Sequence, residues 1–172
     1  MKKIIRQQFF NRSALKVGPD LLGKYLVRLL NREEHSYKIT EVEAYEGLDD
    51  QASHAFKGRT PRTELMFGEA GVFYIYVIYG IYYMCNIVTG KKDFPSAVLI
   101  RGVEKINGPG KLTRKLRIKK DLNGLKVEKK TGLWIEDRGV IINPKLIRKS
   151  TRIGVDYAGP VWSKKEYRFY LE

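Results

Sequence analysis

The sequence predicts a single α+β domain, and three observations carry that expectation. At 172 residues and 43% hydrophobic content, the chain can bury one core without staples and is too apolar for a disordered tail. Short β-branched and aromatic runs recur along it, separated by Gly, Pro, Asn and Asp clusters that mark turns. Two stretches carry helical spacing with capping signals, and no internal repeat or linker divides the chain.

Ser13 ahead of Ala14-Leu15-Lys16-Val17 reads as a helix N-cap, and Pro19-Asp20 can open a further helical turn. Residues 25–30 read as a strand, 31–34 as a polar turn and 37–45 as a second strand. Residues 46–62 read as a loop, punctuated by Gly47, Asp49, Asp50, Gly58 and Pro61. The most informative stretch, GVFYIYVIYGIYYMCN over residues 71–86, holds five of the 11 tyrosines. Its first half favours a strand, with Tyr74, Tyr76 and Ile78 on one face and Phe73, Ile75 and Val77 on the other. Tyr79-Gly80 breaks the run as a hairpin turn, and a second strand starts near Tyr82. Another strand follows at 97–103. Over 111–118, Leu112, Leu116 and Ile118 sit beside Lys111, Arg114, Lys115 and Arg117, which predicts an amphipathic basic helix with Pro109 near its first turn. Short strands are expected at 133–135, 140–142 and 167–171.

The formal net charge is +14, and it is uneven. Residues 101–172 carry 19 Lys and Arg against 8 Asp and Glu, whereas residues 1–100 carry 14 against 11. Such a field favours a polyanionic partner but specifies no chemistry. The lone cysteine, Cys85, excludes an internal disulfide framework and a Cys-cluster zinc site, and fits a reducing compartment. The basic start MKKIIRQQFFNRS has too short an apolar run for a signal peptide, and no stretch approaches a membrane span. A soluble intracellular protein is expected.

Glu43 and Tyr45 lie two apart in a predicted strand and therefore share a face. A carboxylate among Val42, Ala44 and Tyr45 is poorly placed for solvation, so it is either paired or held for work. Arg101, inside the apolar strand AVLIRGV, needs an anion. An internal Glu43–Arg101 pair satisfies both, and a pair facing a pocket can also hold a water. His54 lies across the loop, where a histidine ordinarily makes local hydrogen bonds. Asp49-Asp50 reads as a turn rather than a metal site. Tyrosine-rich strands ordinarily form half-buried sheet with the hydroxyl wet. An exposed aromatic at a hairpin tip of a basic chain fits instead a wedge between nucleic-acid bases.

EVEAYEGLDDQASH from Glu41, Thr60-Pro61-Arg62, Met66-Phe67, the tyrosine hairpin through Asn86, VLIRGVE from Val98, GPGKL from Gly108 and RIGVDYAG from Arg152 occur in a characteristic order. In this the chain resembles, over nearly its whole length, the 3-methyladenine (alkyladenine) DNA glycosylases of the mammalian type, which also occur in bacteria. The resemblance implies a curved, mainly antiparallel sheet flanked by helices, with a protruding tyrosine-bearing hairpin. It implies that Glu43 activates a water and that Arg101 helps hold both. Tyr45 and Tyr76 would stack on opposite faces of a flipped purine, with His54 at its edge. Asn86 would crowd the exocyclic amine of normal guanine, and Tyr79 would fill the gap left in the duplex. Thr60, Arg62, Met66 and Lys111 would lie along the DNA. The segment between Arg101 and Gly108-Pro109 is much shorter than in mammalian members. The implied partner is double-stranded DNA holding damaged purines, met by a monomer without metal, cofactor or membrane. The implied location is the cytoplasm, at the nucleoid in a bacterium.

That chemistry suits these residue types. A base inside a duplex must be extruded before it can be cut. Alkylation at a ring nitrogen leaves a cationic purine, which tyrosine faces attract and which departs readily. Two readings of other classes compete: a non-catalytic nucleic-acid-binding module using tyrosines as a stacking platform, and a metal-dependent nuclease built on Glu41, Glu43 and Asp50.

Overall fold

The computed structural model describes residues 2–172. Its strands are β1 (Lys3–Ile4), β2 (Tyr25–Leu30), β3 (Glu33–Glu46), β4 (Phe73–Ile78), β5 (Tyr82–Val88), β6 (Ser96–Val103), β7 (Ile106–Asn107), β8 (Leu133–Asp137), β9 (Ile147–Ser150) and β10 (Arg168–Leu171). The helices are α1 (Gln7–Phe10), α2 (Ala14–Leu21), α3 (Pro109–Lys115) and α4 (Gly159–Trp162). The spine of the sheet runs β1-β8-β2-β3-β6-β5-β4, with β10 on β3, β9 on β10 and β7 on β6. Every pairing is antiparallel. The α+β architecture is the one the sequence predicts.

The 14-residue β3 organises the molecule. Its first half pairs with β2, and its second half lies between β6 and β10. Its register against β6 shifts twice, between Ile39 and Glu41 and between Glu41 and Val42. A side-chain period of two would send Ile39 and Val42 to opposite faces, yet both are fully buried in the main core. The shift reconciles them. Beyond it, Val42 and Ala44 face the core, and Glu43 and Tyr45 face the other side.

The same division runs across the neighbouring strands. Phe73 and Ile75 of β4, Cys85 and Ile87 of β5, and Val98 and Ile100 of β6 join the main core with Phe10, Leu21, Leu112 and Phe169. Their alternates, Tyr74, Tyr76, Asn86, Ala97 and Arg101, are left on the opposite face. The main core thus takes one face of the sheet, and a smaller cluster with Ala55, Met66 and Phe67 covers part of the other around the site.

Local chemistry explains the helices. Ser13 caps α2, its hydroxyl oxygen accepting from the Leu15 N–H at 3.2 Å and donating to Glu46 at 2.7 Å. Pro109 starts α3, and Arg117 adopts φ +48° just beyond it. The helix therefore stops before 118, although Leu116 and Ile118 still reach the core. Gly110 lets α3 approach the hairpin closely: a Cβ there would sit 2.6 Å from the Tyr82 ring.

Three expectations are corrected. The turn at 31–34 is only Asn31-Arg32, both at positive φ, and Glu33 and Glu34 already pair with β2. Residues 140–142 form no strand, and Ile141 is 94% exposed, because β-propensity without a partner strand forms nothing. The loop 46–62 contains a short helical turn, His54–Lys57, capped by the Ser53 hydroxyl. No helix among the described residues is long and apolar enough to cross a membrane.

Candidate active site

Glu43 is fully buried, with its register fixed between Leu99 of β6 and Arg168 of β10. Three donors hold its carboxylate. The Tyr45 hydroxyl donates to Oε2 at 2.8 Å, the Arg101 guanidinium donates to the same oxygen at 3.4 Å, and the Ile153 backbone N–H donates to Oε1 at 2.7 Å. The group is bound purely as an acceptor, the role a general base requires. The expected Glu43–Arg101 pair exists, but Arg101 is shared. Its Nε donates to Glu41 at 3.2 Å, and Arg168 also reaches Glu41 at 3.0 Å.

Beside this pair, a small cavity of about 40 Å³ is lined by Tyr45, Ala52, Ser53, His54, Met66, Tyr74, Tyr76, Asn86, Ala97 and Tyr157. Four sequence-predicted pocket residues, Tyr45, His54, Tyr76 and Asn86, therefore meet around one space. Tyr76 packs edge-on against the His54 ring with centroids 4.5 Å apart, and the Arg62 guanidinium lies 5.1 Å from the Tyr76 ring centre. Asn86 donates from its amide to the Tyr74 carbonyl at 3.0 Å and the Met84 carbonyl at 3.4 Å. Both partners are acceptors, which orients the amide nitrogen toward the backbone.

Electrostatics follow from burial. The His54 imidazole is pulled down to about 4, by burial first and by the Arg62 cation second, so the ring is neutral at pH 7. Its Nδ1 shares a 3.0 Å hydrogen bond with the Tyr74 hydroxyl. Burial pushes the Tyr45 phenol well above its ordinary range, and the Glu43 charge adds to the effect. Burial likewise raises Tyr76. All three rings stay uncharged across the physiological range, as a stacking surface requires. Burial also lifts the Cys85 thiol to about 12, which leaves it inert.

The expected DNA-contacting residues divide. Tyr79 is 87% exposed at the hairpin tip, followed by Ile81 at 65%. Thr60, Arg62 and Lys111 are exposed, with Lys111 carried beside the hairpin by the α3–β5 packing. Met66 departs from expectation. It is buried, because the turn Glu64–Phe67 directs it inward under the cavity rather than along a duplex.

The sequence reading missed the support beneath Tyr45. Asp50 and Arg152 form a fully buried bidentate pair at 2.6 and 2.8 Å, and the guanidinium lies 4.7 Å from the Tyr45 ring centre and 5.2 Å from that of Tyr167. Asp50 does make the expected turn, accepting from the Ala52 N–H at 3.1 Å, but that is half its work. The carboxylates weighed as a metal site are each engaged otherwise, Asp50 by Arg152 and Glu41 by Arg101 and Arg168. No group of three or more potential ligands gathers among the described residues. Tyr74, Tyr157 and the Ile153 N–H were also missed, and only RIGVDYAG offered a signal for the last two.

Residues 8–172 match the family model for methylpurine-DNA glycosylase (MPG). The chain belongs to the methylpurine-DNA glycosylase family. Relatives support this membership over full length. A Methanocella arvoryzae protein is 40% identical, with 97% of this chain aligned to 92% of its own. A Legionella pneumophila (strain Paris) protein is 42% identical over 100% of this chain and 96% of its own. One from Clostridium perfringens (strain SM101 / Type A) is 37% identical over 96% and 94%. Each carries a name proposing a 3-methyladenine DNA glycosylase.

Proposed function

We propose that this chain is a monofunctional DNA glycosylase that flips alkylated or deaminated purines, of the 3-methyladenine and hypoxanthine type, out of duplex DNA and hydrolyses their N-glycosidic bond. The observation that carries the reading is a buried Glu43 carboxylate, held only by donors, directly behind the aromatic pocket formed by Tyr45, His54 and Tyr76. A carboxylate so held serves as a base for a water attacking the sugar C1′. As the C1′–N bond breaks, its electron pair leaves with the purine and positive charge builds on the sugar, which Glu43 stabilises while accepting the water's proton. A cationic purine leaves as a neutral base. A neutral lesion needs more help at the base, and the reading gives the hydrogen-bond donor there to the neutral His54 imidazole or to a water. Selectivity comes partly from the cheaper extrusion of a weakly paired base. The reading takes the enzyme to act as a monomer in the cytoplasm, without a cofactor.

The deciding assay presents duplexes with single defined lesions, scored for free base and strand nicking with and without chelator and borohydride. Free base, an intact abasic strand and no trapped adduct are expected. Tight binding without base release would establish the stacking-platform module instead. Chelator-sensitive nicking would establish the nuclease, and an adduct mapping to a lysine a lyase.

Tyr79 tests the flipping step. Its exposure leaves it free to fill a vacated stack, offsetting a few kcal/mol of unstacking. Tyr79→Ser is expected to weaken lesion capture most for lesions that still pair well, with the melting temperature and salt slope almost unchanged. Arg62→Ala should make that slope shallower by about one ion. A Tyr79→Ser protein that melts early yet flips normally would show the tip to be packed structure.

A further inference from the structure

In the free protein the pocket is a narrow, partly open cavity of about 40 Å³. Which of its walls gives most easily therefore bears on what can enter it. Most walls are tied down. Tyr45 is bonded to Glu43 and lies on the Arg152 guanidinium. His54 is bonded to Tyr74 and packs on Tyr76. Asn86 is held by two backbone carbonyls, and Met66 is buried.

Tyr157 is held by less. It is 69% exposed, on the one-turn helix Asp156–Ala158 at the rim, with neither ring stack nor cation partner among the described residues. A single side-chain hydrogen bond, from its hydroxyl to the Ala52 carbonyl at 2.9 Å, holds it across the pocket. That bond joins segments 105 residues apart, on either side of the space a base must enter. Most of the side chain faces solvent, while the hydroxyl end is partly buried at the pocket.

We propose that Tyr157 is the gate and size filter of the base pocket. The inference rests on the glycosylase reading above. The ring covers the mouth while its hydroxyl holds Ala52, swings toward solvent as a base enters, and then rests against that base's edge. A base with added bulk displaces the ring further and is admitted less readily, so Tyr157 acts on which lesions enter rather than on bond cleavage.

The test uses Tyr157→Phe, which keeps the ring and loses the tether, and Tyr157→Ala, which removes the ring. Capture is followed by stopped-flow fluorescence of a duplex carrying 1,N6-ethenoadenine, which brightens when unstacked. Single-turnover excision of ethenoadenine is compared with that of hypoxanthine. Tyr157→Phe is expected to speed capture about three- to tenfold, the worth of one hydrogen bond. Tyr157→Ala should shift the excision ratio toward the bulkier base by about tenfold, with the melting temperature of either variant falling by no more than about 6 °C. Capture and ratio equal to wild type in both variants would overturn the gate while leaving the glycosylase intact. A wild-type protein that releases no purine would remove the glycosylase reading, and the capture rates would still decide the gate.

Discussion

Glu43→Gln is expected to lower single-turnover excision by roughly two to four orders of magnitude, the usual worth of a general base. Lesion binding should stay near native, because the amide keeps the carboxylate's shape. The surroundings sharpen this expectation. Tyr45, Arg101 and the Ile153 N–H all donate, so one face of a glutamine side chain must present its NH₂ to a donor. A modest loss of stability should accompany the kinetic loss, and binding measured beside the melting curve separates the two. A variant with near-native excision would show that Glu43 merely neutralises Arg101.

The largest stability effect is expected at Asp50. Its bidentate pair with Arg152 is fully buried on both sides, and Arg152 also donates to the Ala44 carbonyl at 3.0 Å. Asp50→Asn leaves a guanidinium without a counter-charge, which typically costs about 3–5 kcal/mol. For a chain of this size the melting temperature should fall by about 6–20 °C. Since Arg152 underlies Tyr45, excision should fall as well. The exposed pair Arg148–Glu172 supplies the contrast: Glu172→Gln should cost at most about 1 kcal/mol. Equal, small shifts in the two variants would mean that water reaches the Asp50–Arg152 pair.

These two residues also show what a sequence can and cannot disclose. Glu43 was legible because strand alternation is local: an acid between Val42 and Ala44 announces itself as misplaced. Tyr76 and the exposed tip at Tyr79 followed from the same alternation and the Tyr79-Gly80 break. Asp50 was read through its neighbours as a turn residue, correctly, but its partner lies 102 positions away and no local pattern links them. The shift of register near Glu41 was equally hidden, since it depends on the pairing of β3 with β6. Residues 140–142 erred the other way, with strand-like side chains and no strand to meet. The family resemblance assembled the pocket, and it did not foresee the inward turn of Met66 or the position of Tyr157.

The hairpin tip carries a tension between durability and use. Tyr79 and Gly80 both adopt positive φ, +50° and +69°, in a turn closed by the Ile81 N–H donating to the Ile78 carbonyl at 3.2 Å. Asn-Gly is the favoured pair for that geometry, and a side chain like tyrosine there costs about 1–2 kcal/mol. Directed evolution for heat resistance alone should therefore drift toward asparagine at position 79. An aromatic ring kept there against the backbone's preference, pointing into water, answers to a demand from outside the fold. Thermostable variants of this chain should be chosen with that position held fixed.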